Sequence, residues 1–304
     1  TTLAQDSDSQ YNIAMGGESM RNIGGKSSKN IIIGYGEAAR YISGATTSEG
    51  SENIGIGYAV LRNILTGSKN VAIGDYAGYS LTNAGYNTFV GDSAGSGTTT
   101  SDESVYVGYH AGKANNAAFN VFIGNGAGET ATGVGSSVAV GRQAMGAAAA
   151  TGDDNVAVGY RSMYDITTGA ENVAVGHFSF PNVTSGSYNV AIGRSVMNDN
   201  AGGHRQTAVG YSALSNFTQV GDGKNTAIGM YSMSNIETGT NNTAIGYNSM
   251  KGVLGDDNDN NTAIGTSALY GTDGGDGNTA LGHQAGYNTT TGTGNVFIGK
   301  DAGY

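Results

Sequence analysis

The sequence lacks cysteine and tryptophan altogether and holds a single proline among its 304 residues. Without cysteine, the chain can form neither a disulfide scaffold nor a thiolate metal site. Charged residues make up 12% of the chain, about half the usual share, which is too few for a disordered polyelectrolyte. No apolar run approaches the roughly 18 residues that a membrane-spanning helix needs, so no membrane span is predicted.

Basic residues are also scarce, because 14 Lys and Arg face 24 Asp and Glu and leave a net charge of −10. An acidic surface repels phosphate backbones, so no nucleic-acid partner is expected. The chain begins with Thr1 and shows no signal-peptide pattern. We therefore expect either a processed N-terminus or a piece of a longer protein.

Glycine is abundant, with 53 copies, and many of these copies close a repeated pentad. The pentad is Asn, a β-branched residue (first slot), a mostly small residue (middle slot), an aliphatic residue (last slot) and a corner glycine. Asn70–Gly74 and Asn242–Gly246 are examples. Seventeen copies follow one another, most of them 17 residues apart. A repeat of this kind decides the architecture before any other feature does.

The pentad reads as a short strand followed by a turn, because β-branched residues alternate before a glycine. A 17-residue unit is too short for a strand plus a helix but fits one coil of a solenoid. The sequence therefore predicts an all-β protein, a parallel β-solenoid (β-roll or β-helix) of about seventeen coils. Residues 1–11 are predicted to be a lead-in, and residues 12–304 a single repeat domain.

The two flanking slots are always apolar or β-branched, so we expect them to fill the inside of the coil. The middle slot would then point outward, although it is mostly alanine. A strand that is apolar on both faces is buried on both faces, so the middle slot is predicted to form an oligomer interface. Its predicted members are Ala72, Phe89, Tyr106, Phe122, Ala139, Ala157, Ala174, Ala191, Ala208, Ala227, Ala244, Ala263, Ala280 and Phe297.

The middle slot also covaries in size with the position four residues after the corner glycine. That position is Met, Leu or Phe in many coils, but it is glycine whenever the middle slot is aromatic. The aromatic coils pair Phe89 with Gly95, Tyr106 with Gly112, Phe122 with Gly128 and Phe297 with Gly303. Close packing requires this trade of volume, so the two positions should face each other, either within one subunit or across an interface. We favour the interface.

Asparagine opens 14 of the seventeen pentads, with Ser104, Ser137 and Gln206 in the others. Two explanations stay open at this point. Stacked amides can hydrogen-bond along a ladder from coil to coil. Alternatively, asparagine can be a turn residue that tolerates a left-handed backbone.

The pentad resembles the head repeats of trimeric autotransporter adhesins, and Asn242–Tyr247 resembles the Asn-Thr-Ala-Ile-Gly-Tyr repeats of bacteriophage tail fibres. The resemblance covers residues 12–304. It implies a homotrimer on a virion or cell surface that binds a host glycan or protein receptor and joins further fibre or baseplate segments. We expect a non-catalytic virion fibre segment for host attachment. The alternatives are a bacterial adhesin head and a carbohydrate-cleaving tailspike.

Metal and catalytic chemistry find weak support. Acidic residues crowd two neighbouring loops and make calcium the best candidate cofactor, because hard oxygen ligands suit Ca²⁺; they are Asp256, Asp257, Asp259, Asp273 and Asp276. The more ordinary explanation is solvated acidic turns. The four histidines are scattered and no G-x-S-x-G nucleophile motif occurs, so we expect no enzyme and no other cofactor.

Tyrosine often follows the corner glycine, where it could serve recognition. Amphipathic rings on a polar surface can stack on sugars or proteins, but they can equally cover the strand edge beneath them. The predicted recognition residues are Tyr35, Tyr58, Tyr109, Tyr160, Tyr211 and Tyr247.

Overall fold

The computed structural model describes residues 10–20, 27–39, 50–200, 202–255 and 257–304. Among these residues the protein is all-β without a helix, a parallel β-solenoid of about 16 coils. Contacts divide the chain into two compact units, Thr1–Asp153 and Asp154–Tyr304. The predicted lead-in lies almost entirely outside the described residues. The parallel β-solenoid predicted from the repeat is confirmed.

The described part of unit 1 contains eight strands of three residues, and each strand pairs in parallel with the next along the chain. The register sets each slot on the same slot of its neighbour, as in Ile54 on Val71 and Ile56 on Ile73. The strands are β1 Ile13–Met15, β2 Ile31–Ile33, β3 Ile54–Ile56, β4 Val71–Ile73, β5 Thr88–Val90, β6 Val105–Val107, β7 Val121–Ile123 and β8 Val138–Val140.

The described part of unit 2 repeats this pattern and adds one short parallel pair, β12 (Gly203–His204) with β14 (Gly221–Asp222); β14 lies in the 19-residue coil between Gly210 and Gly229, and β12 in the 17-residue coil before it. Its main strands follow the order β9, β10, β11, β13, β15, β16, β17, β18, β19. The strands are β9 Val156–Val158, β10 Val173–Val175, β11 Val190–Ile192, β12 Gly203–His204, β13 Thr207–Val209, β14 Gly221–Asp222, β15 Thr226–Ile228, β16 Thr243–Ile245, β17 Thr262–Ile264, β18 Thr279–Leu281 and β19 Val296–Ile298.

The prediction of which strand face is buried was wrong, because the middle slot points into the coil and the flanking slots point out. The middle residues predicted as interface are fully buried within the chain, except Phe297 in the last coil, which is half-buried. They are Ala72, Phe89, Tyr106, Phe122, Ala139, Ala157, Ala174, Ala191, Ala208, Ala227, Ala244, Ala263 and Ala280.

The inversion has a physical cause in the thinness of the coil. Each strand has only three residues, so one side receives a single side chain and the other side receives two. The interior between the strand and the segment after the corner glycine holds that single side chain. Ala157 is buried there in the same coil as Met163, and both are fully buried. Interior positions that face each other this closely favour alanine on one side and a long side chain on the other.

The corner glycine is required by both conformation and space. Gly74 has φ +132, and a Cβ there would lie 2.5 Å from the carbonyl oxygen of Gly91 in the next coil. A side chain would therefore collide with backbone that has no freedom to move. The same arrangement recurs at corners along both units, which explains why glycine closes each pentad.

The size trade predicted between the middle slot and the fourth residue after the corner is confirmed, but it occurs within one chain. A Cβ built on Gly128 would lie 2.5 Å from the ring of Phe122, and one on Gly112 equally close to Tyr106. The buried rings stack on one another, with 5.2 Å between the centroids of Tyr106 and Phe122. Our preference for a trade across an interface was therefore wrong.

The asparagine ladder is also confirmed. Asn172 Oδ1 accepts hydrogen bonds from the backbone N–H and the Nδ2 of Asn189, both at 3.0 Å. Asn172 Nδ2 donates to the carbonyl oxygen of Gly186 at 2.8 Å. The left-handed backbone of the alternative explanation belongs to the preceding residue, with φ +56 at Glu171 and +62 at Tyr188. Each buried amide thus joins its own coil to the neighbouring coils.

Two exceptions to asparagine follow from their surroundings. Ser104 stands where the hydroxyl of Tyr106 enters the core. That hydroxyl accepts a hydrogen bond from Asn115 Nδ2 at 3.3 Å. Burial raises the pKa of the Tyr106 phenol, so it stays neutral. Gln206 Oε1 takes the place of the asparagine oxygen and accepts a hydrogen bond from the N–H of Asn225 at 3.0 Å. Its buried Nε2 has no hydrogen-bond partner among the residues that the structure describes.

We expect Asn172→Ala to lower the free energy of unfolding by about 3 kcal/mol, because it leaves buried groups of Asn189 and Gly186 without partners. Urea denaturation measures the loss. The control is Asn182→Ala, whose exposed amide donates at the surface and should cost less than about 0.5 kcal/mol. Equal losses in the two variants would contradict the ladder's role.

The internal size trade predicts a compensating pair. Phe122→Ala should destabilise by about 3–5 kcal/mol, because it leaves a cavity. Adding Gly128→Met should restore more than half of this loss, since Met163 occupies the equivalent position beside Ala157 at φ +48. A double-mutant cycle in urea measures the coupling. Purely additive losses would show that the two positions do not share space.

Candidate interface and recognition surfaces

The side of the strands that carries the first and last slots, here the outer face, has an apolar residue in every last slot and Val, Ile or Thr in every first slot. Last-slot residues such as Ile73 and Ile228 are each 38% exposed, and the first-slot residues beside them are mostly half-buried. No charged residue occupies either slot in any of the seventeen pentads. In-register stacking places these side chains over one another at the strand spacing of about 4.8 Å.

The outer face is therefore the surface that an interface would use, in place of the alanine column. The sequence carried the signal for it, since the first slot is always β-branched, the last slot is always apolar and neither ever holds a charge. We assigned those slots to the interior because alternation shows which residues share a face but not which face is inside. Exposed apolar surface that continues over many coils is characteristic of association sites.

The tyrosines predicted for recognition lie at the surface but do not form one site. Tyr35, Tyr109, Tyr211 and Tyr247 are 41–62% exposed, whereas Tyr58 is half-buried. Tyr160 is half-buried as well, beside Phe178, with 5.2 Å between the ring centroids.

Most of these rings contact an aromatic residue of a neighbouring coil. The centroids of Tyr35 and Tyr58 are 4.9 Å apart, and those of Tyr211 and Tyr231 are 5.3 Å apart. The rings therefore pack along the coils and stay partly open to solvent. Their part in recognition stays a prediction.

The acidic turns bind the backbone of the neighbouring coil. Asp259 Oδ1 accepts hydrogen bonds from the N–H of Thr240 at 2.6 Å and from its hydroxyl at 2.9 Å. Asp276 Oδ1 accepts from the N–H of Asp259 at 2.8 Å. A carboxylate at this position thus satisfies a turn amide that would otherwise need water.

Calcium stays a prediction at these turns. Asp257 and Asp273 are exposed, and Asp256 lies outside the described residues. Among the residues that the structure describes, no group of three or more His, Cys, Asp or Glu could hold a metal ion.

The histidines make separate local contacts. His110 Nδ1 lies 2.7 Å from Glu129 Oε1, and His283 Nδ1 lies 3.5 Å from Asp301 Oδ1. His204 Nδ1 accepts a hydrogen bond from the backbone N–H of Ser187 at 3.0 Å, which fixes the turn of its coil. None of these contacts joins a histidine to a hydroxyl nucleophile.

No helix in the described part of the chain is long and apolar enough to cross a membrane. Neither protein-family models, nor curated proteins, nor solved structures give a match for this chain.

The turn carboxylates predict a difference between two substitutions. Asp276→Asn keeps the Oδ1 acceptor and should change the free energy of unfolding by less than about 0.5 kcal/mol, whereas Asp276→Ala should cost about 1 kcal/mol. Thermal unfolding with and without millimolar calcium measures both effects. A calcium-dependent rise in Tm that both variants lose would show instead that the carboxylate is a calcium ligand.

Proposed function

We propose that this chain is a non-catalytic structural segment of a virion host-attachment fibre and that it assembles as a homotrimer through its outer face. The observation that carries this proposal is the apolar outer face, which continues coil after coil without a charge. Water contact with such a face is unfavourable by about 25 cal/mol per Å² of apolar surface. A monomer would gain by placing charged residues in these slots, yet no pentad does so: the last slot is apolar in all seventeen, and the first slot is Val or Ile in eleven and Thr in six.

The size of the face is suited to a partner of the same kind. A three-residue strand spans about 10 Å, and nine stacked strands span about 40 Å, so unit 2 offers a flat area of about 400 Å². Unit 1 offers slightly less. Stable interfaces bury about 800 Å² on each partner, so each unit by itself supplies about half of such an area.

The periodicity of the face favours a second copy as the occupant. The apolar side chains repeat at the strand spacing of about 4.8 Å, and a surface with the same repeat matches them over its whole length. Another copy of this chain has the same spacing, because it has the same sequence and fold. Homo-oligomers with closed symmetry are the commonest way to cover such a surface.

Attachment to a host surface would use two features together, namely trimerisation and the exposed aromatic residues. Three chains present each exposed ring three times, so contacts that are weak alone act together. The partners of the trimer are a host-surface glycan or protein receptor and further segments of the fibre or baseplate. A bacterial adhesin head would use the same geometry on a cell surface.

The proposal predicts that charges on the outer face separate the subunits. The double variant Ile228→Lys/Ile245→Lys places two ammonium groups in the last-slot column, where both residues are 38% exposed. Light scattering should give three times the chain mass for the wild type and a smaller mass for the variant. The control is Val220→Lys, which is 76% exposed and lies outside the column.

A wild-type mass equal to one chain at micromolar concentration would overturn the trimer. An unchanged mass in the double variant would remove the outer face as its interface. The tailspike alternative makes a different prediction, namely turnover of host polysaccharide that is lost on mutating one pair of carboxylates.

A further inference from the structure

A pocket of about 620 Å³ lies in unit 1 on the segments that follow four successive corner glycines. These segments are distinct from the strands that carry the outer face. Four coils span about 14 Å, which is the length of a short oligosaccharide. The volume lies within the range of small-molecule binding sites.

The pocket exists because one coil carries small residues where its neighbours carry large ones. Ser93 and Ser96 occupy the positions that Tyr76 and Tyr79 hold in the preceding coil, and the floor continues with Gly97. The regular repeat is therefore interrupted locally, and the interruption leaves open space between a tyrosine wall and the following coils.

The tyrosine wall is held in place from behind. The Tyr76 and Tyr79 rings lie 5.7 Å apart at 54°, and the Tyr58 ring packs against Tyr76 at 5.2 Å. Arg62 donates a hydrogen bond to the Tyr79 hydroxyl and is itself bound by Glu37. A wall that is rigid before binding loses little entropy when a ligand arrives.

The polar groups of the pocket are partly unused. Lys113 is half-buried and forms no ion pair with any residue that the structure describes. The Ser96 hydroxyl likewise has no hydrogen-bond partner in the described chain. Glu129 at the far end is held by His110 Nδ1 at 2.7 Å. The pocket therefore offers an unpaired cation and a free hydroxyl beside aromatic faces.

We propose that this pocket binds an acidic saccharide, with the C–H face of a pyranose ring against Tyr76 and Tyr79 and its carboxylate at the Lys113 ammonium. Aromatic rings offer flat apolar surface to sugar C–H groups, while the ring hydroxyls need polar partners such as Ser96 and Glu129. The lysine adds a point charge that a carboxylate satisfies.

A peptide is the less suitable ligand. The pocket lies on turn segments, and its floor of serine and glycine has no unpaired strand edge to which an extended peptide could add. The inference deepens the proposed attachment role by naming the receptor chemistry, and it rests on that role. The pocket belongs to a different segment from the outer face, so the two can fail separately.

Isothermal titration of the full chain at low salt tests the proposal with three probes: trigalacturonate, neutral maltotriose and a pentaglutamate peptide. We expect trigalacturonate to bind at least tenfold more tightly than either of the others, with an affinity that falls as salt is added. Lys113→Met should abolish the preference for the acidic sugar, and Lys113→Arg should keep most of it. Tyr76→Ala should weaken trigalacturonate binding at least tenfold.

Tyr231→Ala is the matched control, because Tyr231 and Tyr76 both stand two residues after a corner glycine and each packs against the tyrosine of the preceding coil. It should leave binding unchanged. The proposal is overturned if trigalacturonate gives no binding at millimolar concentration, if pentaglutamate binds as tightly, or if Lys113→Met changes nothing. Light scattering on the same variants reports self-association separately, so loss of sugar binding with an unchanged mass leaves the trimer standing.

Discussion

The structure depends on one constraint, which is that the polar groups of each coil find most of their hydrogen-bond partners in the neighbouring coils. A three-residue strand has too few hydrogen bonds to be stable alone, and parallel pairing supplies the rest from its neighbours. The asparagine ladder extends this dependence to the side chains, as Asn172 joins the amide of Asn189 to the carbonyl of Gly186. Similar residues must therefore stack on similar residues in successive coils, and this requirement explains why the sequence repeats.

Much of this could be predicted from the sequence, because each slot has a single chemical requirement. The 17-residue period predicts the coil, and the corner glycine predicts the turn. The inverse relation in side-chain size between Phe122 and Gly128 predicts that these two positions are in contact. The side on which Ala157 lies could not be predicted, since two apolar faces give the same alternation. The coil's width decides that question, and width is a property of the folded chain: one small side chain fits inside, and two β-branched ones do not.

The candidate pocket could not be predicted from the sequence for a related reason. Its residues lie in four coils at positions that vary from copy to copy, so no single repeat shows them together. The sequence does show that Ser93 and Ser96 replace larger residues, but only the stacking reveals that Tyr79 and Lys113 border the resulting gap. In a repeat protein the conserved slots maintain the fold, and the variable slots are where a binding site can be placed at little cost to stability.

The outer face and the pocket occupy different segments of the same coil, and this separation would let one repeat carry the two proposed tasks. The strands present a surface without charges, suited to another copy of the chain, whereas the turns after the corner carry rings, hydroxyls and a lysine. In the proposed function, a single pocket would bind a sugar weakly. Association through the strands would multiply that pocket, and binding at several pockets together can exceed the affinity of one by about 10²–10⁴. The outer face would thereby provide the attachment strength that the pocket alone lacks.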